Sequence, residues 1–383
     1  MRVGLVTGIF PPDIGGPATF ISALGAGLTE RDHLVEVVTY AEAPRPRDDW
    51  PFRVTRIRRE SRTRRAQAAL AIFRMALRAE VLLVNGLLEA ATIANATARR
   101  PCAVKIVGDA AWERARNRGL TTQEFISFQE REHSGPIPRW QRRRNRCLRR
   151  ATALVVPSEF LRGVVEGWNV RRPIHVIPNG VDDAFAQAAD AADLAALRAK
   201  HDLPKRFLLY AGRLTNWKGC DTLARVLPQL DDDLGLVIVG DGPERAALVA
   251  LVERLHLVER VRLLPPTDRA CLARLMLLAS CFVLNSGYEG HPHVVLEAMA
   301  VGTPVVAADA CGTPEVVRDG ENGLLFQKDN SPQLVEVLGR VLDDEPTRNR
   351  IIEGGTRTAR HAAWSTTLDR TEALLKKLTE GEV

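Results

Sequence analysis

Short apolar runs alternate along this chain with longer segments in which apolar residues recur every three or four positions. Runs of Val, Ile and Leu of this length are typical of strands buried on both faces, and the helical period is typical of helices that cover them. In the first half the predicted strands are residues 3–6, 35–39, 54–57, 81–84, 103–107, 154–156 and 174–177. Helical patterns lie between them, such as residues 20–28, 65–78, 88–98 and 159–166. We therefore predict a doubly wound α/β domain with a parallel sheet.

The same pattern starts again in the second half. Its predicted strands are residues 207–211, 235–239, 261–264, 281–284, 305–307 and 324–326. The intervening helices are residues 220–229, 243–255, 269–279 and 294–300. Turn residues at 177–182 separate the halves and put the boundary near Asp183. The predicted domains are residues 1–183 and 184–363, followed by an amphipathic helix in 364–383 that crosses back onto the first domain.

Composition is that of a soluble globular protein with two separate cores: 383 residues, 45% hydrophobic and 26% charged. No apolar run approaches the roughly 20 residues that span a bilayer, and the first residues look like a buried strand rather than a signal peptide. The six Cys residues are scattered and form no CxxC. This pattern predicts reduced thiols in a cytoplasmic protein and argues against zinc.

Positive charge is clustered in the first half. The net charge is +6, and only seven of the 53 basic residues are Lys. An Arg bias can reflect the genome's base composition, but that does not explain clustering. One run comprises Arg53, Arg56, Arg58, Arg59, Arg62, Arg64 and Arg65, and the other comprises Arg139, Arg142, Arg143, Arg144, Arg146, Arg149 and Arg150.

These arginine runs suit an anionic membrane surface, where each basic residue contributes about 1 kcal/mol. Residues 139–150 include Trp140 and Leu148 and predict an amphipathic helix at a membrane interface. The alternative is an Arg-rich face exposed to water. Nucleic-acid binding is not predicted, because the chain has no recognised nucleic-acid module and only 5% aromatic residues.

Candidate chemistry is concentrated in two loops of the second half. Glu289 lies in a Gly-containing loop, and Glu297 lies two helical turns further along. The loop after the 207–211 strand carries Arg213 and Lys218. Two cations suit a diphosphate, and two carboxylates suit hydroxyl-rich groups at its ends. We predict a site for a nucleotide diphosphate sugar; the alternatives are surface cations near a turn and, for Glu289, simple helix capping.

Neighbouring residues add less specific signals. Gly290 and His291 can offer backbone N–H groups to a sugar. His291 and His293 are two residues apart and have no further ligands nearby, so no metal site is predicted. Gly240 and Gly242 precede a helix, and we favour a structural turn there over a phosphate loop.

Six motifs occur in an order that is specific as a set: residues 11–16, 157–159, 177–182, 212–219, 239–244 and 289–298. In this order and spacing the chain resembles family 4 of the retaining glycosyltransferases over almost its whole length. The resemblance implies the GT-B architecture, in which two Rossmann-like doubly wound domains face each other across a cleft.

The resemblance also implies roles for individual residues. Arg213 and Lys218 would bind the donor diphosphate, Glu297 the ribose and Glu289 the donor sugar. The backbone at Gly15 and Gly16 would approach the β-phosphate and the sugar, with an ordinary turn as the alternative; Gly290 and His291 would contact the sugar. The donor would be UDP- or GDP-linked, without a metal or another cofactor.

The chain departs from the family pattern at three places. The family's His after the strand at 103–107 is replaced by Gly108 and Asp109; Asp109 is the nearest substitute, although Gly108 can itself align with the His. Pro265 stands where a Gly is usual, which leaves the nucleobase open. Asn285 stands where Pro is common, which we interpret as a harmless change.

The resulting functional prediction is a retaining transferase that moves a hexosyl unit to a glycan or lipid-linked hydroxyl acceptor by front-face attack. Asp109, Glu289, Arg213 and Lys218 form the predicted catalytic set. The protein would be cytoplasmic, at the inner face of a membrane if the arginine runs bind one. The alternatives are a GT-B sugar-nucleotide epimerase and an inactive donor-binding homologue.

Overall fold

The computed structural model describes residues 1–42, 49–190 and 194–382, so Val383 of the predicted tail lies outside the described residues. The chain divides into two compact units. The first comprises residues 1–123, 127–178 and 366–383, and the second comprises residues 124–126 and 179–365. The main passage between them lies at Pro178 and Asn179, a few residues before the boundary predicted near Asp183.

The first unit contains a seven-stranded parallel sheet with the order β3-β2-β1-β4-β5-β6-β7. Its strands are β1 Arg2–Thr7, β2 Leu34–Ala41, β3 Arg53–Arg58, β4 Val81–Asn85, β5 Cys102–Lys105, β6 Ala153–Val156 and β7 Ile174–Val176. The helices are α1 Gly16–Glu30, α2 Arg64–Arg78, α3 Leu88–Ala98, α4 Ala110–Asn117, α6 Ile137–Leu148 and α7 Glu159–Gly167, together with residues 127–130 of α5 Phe125–Glu130. All seven strands were predicted, although β5 ends two residues before the predicted limit.

The second unit contains a six-stranded parallel sheet with the order β10-β9-β8-β11-β12-β13. Its strands are β8 Arg206–Ala211, β9 Leu234–Val239, β10 Val261–Leu264, β11 Cys281–Leu284, β12 Val305–Asp309 and β13 Leu324–Gln327. The helices are α8 Asp183–Asp190, α9 Leu194–Lys200, α10 Cys220–Val226, α11 Arg245–Arg254, α12 Arg269–Leu278, α13 His293–Ala300, α14 Ser331–Asp343 and α15 Glu345–His361. Central strands β9 and β11 are buried along their whole length, which explains their uninterrupted apolar sequences.

The final helix, α16 Trp364–Glu380, returns to the first unit as predicted. Leu368 packs so closely on α1 that a Cβ at Gly27 would lie 2.6 Å from its Cδ2 atom. Glu372 is 2.5 Å from Arg31 and 3.0 Å from His33. Together with Lys376, whose contribution is the largest, the hydrogen bonds from these two partners hold the pKa of Glu372 at about 2. The returning helix is therefore held by both packing and charge.

No helix in the described part of the chain is long and apolar enough to cross a bilayer. The fold consists of two parallel sheets covered by helices, and in each sheet the direction in which successive strands are added reverses once. This is the doubly wound α/β class that the sequence predicted, and the carboxyl ends of the strands carry every motif discussed below.

Candidate functional site

The second sheet places its candidate residues where its strand order reverses. Strands β8 and β11 are neighbours, and the chain continues outward from them in opposite directions. In open α/β sheets the crevice beyond the carboxyl ends of two such strands is the usual ligand site. Arg213 and Lys218 follow β8, and Glu289 follows β11. Topology therefore gathers residues that lie far apart in the sequence.

Lys218 and Glu289 are in direct contact. The Nζ atom of Lys218 forms an ion pair with Oε1 of Glu289, and the two side chains are only 18% and 16% exposed. Glu289 does not cap α13, since that helix begins at His293 with no side-chain hydrogen bond at its cap. The capping alternative is thus excluded for Glu289, and its carboxylate is held at the lysine loop.

Gly219 and Asn285 fix the position of the lysine loop. Gly219 has a φ of 62°, and a Cβ there would lie 2.4 Å from Nδ2 of Asn285. The same Asn285 Nδ2 donates a 3.0 Å hydrogen bond to the Gly219 carbonyl. The amide of Asn285 thus ties the loop after β8 to the end of β11, and the interpretation of Asn285 as a harmless change stays a prediction.

Arg213 is exposed on the same loop. Its carbonyl accepts a 3.2 Å hydrogen bond from the hydroxyl of buried Tyr210. Close packing of Gly240 and Gly242 also holds the loop. A Cβ atom at Gly240 would lie 2.0 Å from the carbonyl oxygen of Gly212, and a Cβ atom at Gly242 would lie 2.2 Å from the carbonyl oxygen of Leu214. These contacts agree with a structural turn at Gly240 and Gly242.

Glu297 lies on α13 with its side chain 13% exposed, and it belongs to a carboxylate–arginine–carboxylate chain. Nη1 of Arg269 is 3.2 Å from Oε1 of Glu297, and Nη2 is 3.2 Å from Oδ2 of Asp182. Burial raises the pKa of Glu297 to about 7, although Arg269 opposes the shift. Arg269 thus keeps this carboxyl partly ionised near neutral pH.

Sequence reasoning missed Arg269 and Asp182. Asp182 stands in the 177–182 segment, which was interpreted as a turn and as one of the six motifs but gave Asp182 no role of its own. Arg269 begins a helix and carried no signal. In the structure Asp182 also accepts a 2.7 Å hydrogen bond from the Phe185 amide. Asn179 of the same motif donates a 2.9 Å hydrogen bond to the His291 carbonyl. The motif therefore supports two parts of the candidate site.

Gly290 and His291 lie in a tightly packed loop. The Glu289 carbonyl accepts a 2.9 Å hydrogen bond from the Gly312 amide. Gly290 is buried, and a Cβ at Gly312 would lie 2.2 Å from its carbonyl oxygen. In the described residues no group of three or more His, Cys, Asp or Glu side chains could hold a metal ion.

In the first unit, Gly15 and Gly16 stand at the start of α1, beyond the carboxyl end of β1. Gly15 has a φ of 150°, and its carbonyl accepts hydrogen bonds from Ala18 (2.9 Å) and Thr19 (3.1 Å). Strand β1 pairs with β4, where this sheet also reverses its order. The glycine loop thus occupies the corresponding position in the first sheet, and its contact with a donor stays a prediction.

Asp109 is fully buried in the first unit. Its Oδ1 accepts a 2.9 Å hydrogen bond from the Ala111 amide, which caps α4, and lies 2.5 Å from Nη1 of Arg144. Its Oδ2 accepts a 3.1 Å hydrogen bond from Gln129. The role of Asp109 as a substitute for the family's His stays a prediction, and it would require this enclosure to open.

Gln129, Arg144 and Trp168 close a ring around that carboxylate. The Trp168 indole donates a 2.9 Å hydrogen bond to Gln129 Oε1, and the Arg144 guanidinium lies 3.4 Å from the Trp168 ring centroid. Burial lowers the pKa of Arg144 despite its acidic partner. The ring is a buried polar network, in which Nη1 of Arg144 pairs with Asp109 by charge but makes no hydrogen bond within the described residues.

Most arginines of the two runs are exposed, which agrees with the alternative of an Arg-rich face in water. In α6, Leu148 is buried, and Trp140 has Arg114 and Arg118 at 5.2 and 5.3 Å from its ring centroid. In the first run, Arg56 donates a 2.7 Å hydrogen bond to the Pro11 carbonyl. The interfacial-helix hypothesis for residues 139–150 is weakened, since Leu148 faces the core; membrane contact stays a prediction.

Two family models match the chain, and each falls on a different half. The model described as "Glycosyl transferases group 1" matches residues 195–358. The model described as "Glycosyltransferase Family 4" matches residues 14–185. Together they span most of the chain.

Similar sequences include a D-inositol 3-phosphate glycosyltransferase from Xylanimonas cellulosilytica, 36% identical over 200 residues that cover 50% of this chain and 48% of the relative. An alpha-D-kanosaminyltransferase from Streptomyces kanamyceticus is 29% identical over 224 residues, 57% of this chain and 58% of the relative. The chain therefore spans about half the length of the curated relatives it matches.

Solved structures match over nearly the whole chain. Sucrose-phosphate synthase from Thermosynechococcus elongatus gives a TM-score of 0.82 at 20% identity and covers 99% of both chains. Anabaena HepE in complex with UDP and glucose gives 0.77 at 20% identity, over 98% of this chain and 100% of that one. At this identity the likeness shows a shared fold, and the predicted GT-B fold is confirmed.

Proposed function

We propose, from the premise that this chain belongs to the group 1, family 4 glycosyltransferases, that it moves a hexosyl unit from a nucleotide diphosphate sugar to a hydroxyl acceptor. The observation that carries the proposal is the Lys218–Glu289 pair at the point where the second sheet reverses its order. At this point Lys218, the proposed cation for the diphosphate, contacts Glu289, the proposed carboxylate for the sugar. Arg213 lies on the same loop as Lys218.

The proposed chemistry needs no group beyond those of the substrates and these side chains. The bond between the anomeric carbon and the diphosphate oxygen breaks, the acceptor oxygen bonds to that carbon on the same face, and its proton passes to the leaving phosphate. Lys218 and Arg213 would stabilise the negative charge that develops on the diphosphate, an effect worth several kcal/mol in sites of this kind. We further propose that no bound metal is needed.

Glu289 and Glu297 would orient the two ends of the donor. An ionised carboxylate can accept hydrogen bonds from two neighbouring hydroxyls. Glu289, already against Lys218, suits the sugar next to the diphosphate. Glu297, with one oxygen at Arg269, suits the ribose hydroxyls. The UDP in the HepE complex supports a UDP-linked donor for this chain as a proposal, with a GDP-linked donor as the competing choice.

The acceptor proposal is a glycan or a lipid-linked hydroxyl compound. The similar sequences are a D-inositol 3-phosphate glycosyltransferase and an alpha-D-kanosaminyltransferase; because these two differ from each other, they identify no acceptor for this chain. Peripheral attachment to the inner face of a membrane is proposed only from the two arginine runs. Vesicle sedimentation of the full chain would test that attachment separately from transfer.

Calorimetry of the full chain with UDP-glucose, UDP-GlcNAc, GDP-mannose, ADP-glucose and dTDP-sugars, with EDTA present, tests the donor proposal. We expect one donor class to bind to the wild type. Lys218→Ala should lower its affinity or turnover by about 100-fold or more. Lys205→Ala, an exposed lysine of the same unit, is the matched control and should change nothing.

The products decide between the proposed function and its alternatives. A transfer product whose anomeric configuration, measured by NMR, is the same as that of the donor supports a retaining transferase. Conversion of the donor to an epimer without acceptor would instead identify the epimerase, and binding without any turnover would identify the inactive homologue. Full activity of Lys218→Ala would remove the loop after β8 from the site.

A further inference from the structure

A cavity of about 480 Å³ lies in the first unit, away from the glycine loop after β1. Side chains of α3 and of the end of α6 form its walls, and residues of β4 and β5 form its floor. This volume is in the range of sites for small organic ligands. The cavity includes none of the residues proposed above for the donor.

Five arginines line the cavity, and no Asp or Glu does. They come from three separate places: Arg99 and Arg100 before β5, Arg149 and Arg150 after α6, and Arg172 before β7. Within the described residues none of the five forms an ion pair with a carboxylate. Elsewhere in the same unit ion pairs are frequent, for example at Arg31, Arg78 and Arg143. The cavity therefore concentrates positive charge that no carboxylate in the described part of the chain neutralises by an ion pair.

Backbone carbonyls hold some of these guanidinium groups in place. Arg100 donates to the carbonyls of Ala76 (3.0 Å) and Leu77 (3.1 Å), at the end of α2. Arg172 donates through Nε to the Arg149 carbonyl at 2.8 Å. Glu80 feels the charge of Arg100, but it accepts a 2.5 Å hydrogen bond from the Arg2 amide. Neutral carbonyls fix the cations without cancelling their charge, which prepares them for an anion.

The floor of the cavity is apolar. Val84 and Val104 line it and are buried, and buried Ala91 of the α3 wall adjoins them. A ligand that fills the cavity would therefore place an anionic group among the arginines and an apolar part on this floor. Planar guanidinium groups bind phosphate oxygens with two parallel hydrogen bonds, which makes phosphate the anion that best suits several arginines.

We propose that this cavity binds a phosphate group carried on an organic molecule with an apolar part. The phosphate lies among Arg99, Arg150 and their neighbours, and the apolar part packs on Ala91 and Val104. Such a phosphate can belong to a soluble phosphorylated compound or to a phospholipid head group. Both sources share the same recognition chemistry, and experiment can separate them.

Phenyl phosphate, which combines a phosphate with an apolar ring, is the first probe. Calorimetry of the full chain should detect its binding, and the double variant Arg99→Gln/Arg150→Gln should bind it about tenfold more weakly or worse. Both side chains are exposed and make no hydrogen bond within the described residues, so the fold should persist. The control Arg74→Gln/Arg131→Gln has the same net charge, alters exposed arginines of the same unit that lie outside the cavity and outside both arginine runs, and should bind like the wild type.

A steric variant tests the apolar part. Ala96 lines the cavity and is exposed, so Ala96→Trp should fill the cavity without disturbing the core. We expect it to weaken phenyl phosphate more than inorganic phosphate. Lys218→Ala should bind phenyl phosphate like the wild type, which separates this cavity from the proposed donor site. Equal affinity of both double arginine variants, or no binding of phenyl phosphate to the wild type, would overturn the proposal.

Vesicles distinguish the two sources of phosphate. The full chain is sedimented with phosphatidylcholine vesicles with and without phosphatidic acid. Binding that needs phosphatidic acid and is lost in Arg99→Gln/Arg150→Gln, but not in the control, assigns the cavity to a lipid head group. Phenyl phosphate binding without such vesicle binding assigns it to a soluble compound.

Discussion

Asp109 in the first unit and Glu297 in the second are each paired with an arginine, and the two pairs differ in how completely they are enclosed. In the first unit Asp109 is fully buried, its partner Arg144 is 10% exposed, and both carboxylate oxygens accept hydrogen bonds. In the second unit Glu297 is 13% exposed, and its partner Arg269, 40% exposed, lies at 3.2 Å from one oxygen. Glu297 was predicted to bind the donor ribose, and Asp109 was predicted to belong to the catalytic set. Only Glu297 retains room to accept further hydrogen bonds, so enclosure rather than residue type separates the two roles.

The largest expected effect comes from Asp109→Asn. The change removes the negative charge beside Arg144, whose burial already disfavours its charge. Removing one partner of a buried ion pair typically costs about 3–5 kcal/mol. We therefore expect the free energy of unfolding to fall by about 3–5 kcal/mol, measured by chemical denaturation, because Arg144 is left without a counterion. A stable variant that binds donor but has no turnover would instead support a catalytic role for Asp109.

Glu297→Gln makes the same chemical change in the other pair and should have the opposite consequences. Stability should be unchanged or slightly higher near neutral pH, since the fold no longer holds a poorly solvated carboxylate. Donor affinity should fall by about 10- to 100-fold, because hydrogen bonds to a charged group contribute about 1.5–3 kcal/mol. Calorimetry with the donor identified above, beside denaturation of the same sample, checks both effects. Lost stability with unchanged affinity would remove Glu297 from the site.

The strands of both sheets could be predicted because their apolar runs reflect burial on two faces, a local property of the sequence. Helix α15 was not predicted. Its sequence is largely polar, and it contains Gly354 and Gly355, which disfavour helices by their backbone freedom. A Cβ at Gly354 would lie 1.9 Å from the Glu321 carbonyl oxygen. The glycines there serve close packing against a distant loop, which local sequence does not reveal.

The candidate site was predictable residue by residue but not as a set of contacts. Lys218 and Glu289 were found from their motifs, whereas their pairing depends on the adjacency of β8 and β11. Arg269 was missed because a single Arg at a helix start has many explanations. Likewise, Asp109 looked available, since its distant partners Gln129 and Arg144 have no motif. Contacts between segments that topology brings together are therefore what the sequence alone could not supply.

Arg269→Met tests the more exposed pair, Glu297 with Arg269, by removing its arginine. Without Arg269 the pKa of Glu297 should rise further, since Arg269 opposes the effect of burial. We expect KM for the donor to increase about five- to tenfold near neutral pH with little change in kcat, because less Glu297 is ionised. Arg269→Lys keeps the charge and should recover part of the loss. Arg225→Met removes an exposed arginine that pairs with Asp221 and serves as the control.

The smallest expected effect is on the pH dependence of donor affinity, which should depend on Glu297 of the second unit and on no group of the first unit. Glu297 has a pKa of about 7 because of burial, so its ionised fraction falls as the pH drops through that value. Donor affinity of the wild type should decrease about threefold from about pH 7.5 to about pH 6.5, and that of Glu297→Gln should not follow this change.

The first unit contains its own group that titrates in this range. Burial lowers the pKa of Lys105 to about 7, so the unfolded chain binds more protons than the folded chain between this value and the ordinary pKa of Lys. Stability from Lys105 therefore rises with pH above about 7, whereas the raised pKa of Glu297 lowers stability as the pH rises towards 7. Lys105→Met should flatten the stability change above pH 7 and leave the pH dependence of donor affinity intact. A donor profile that changes in Lys105→Met but not in Glu297→Gln would assign the titration to the first unit instead.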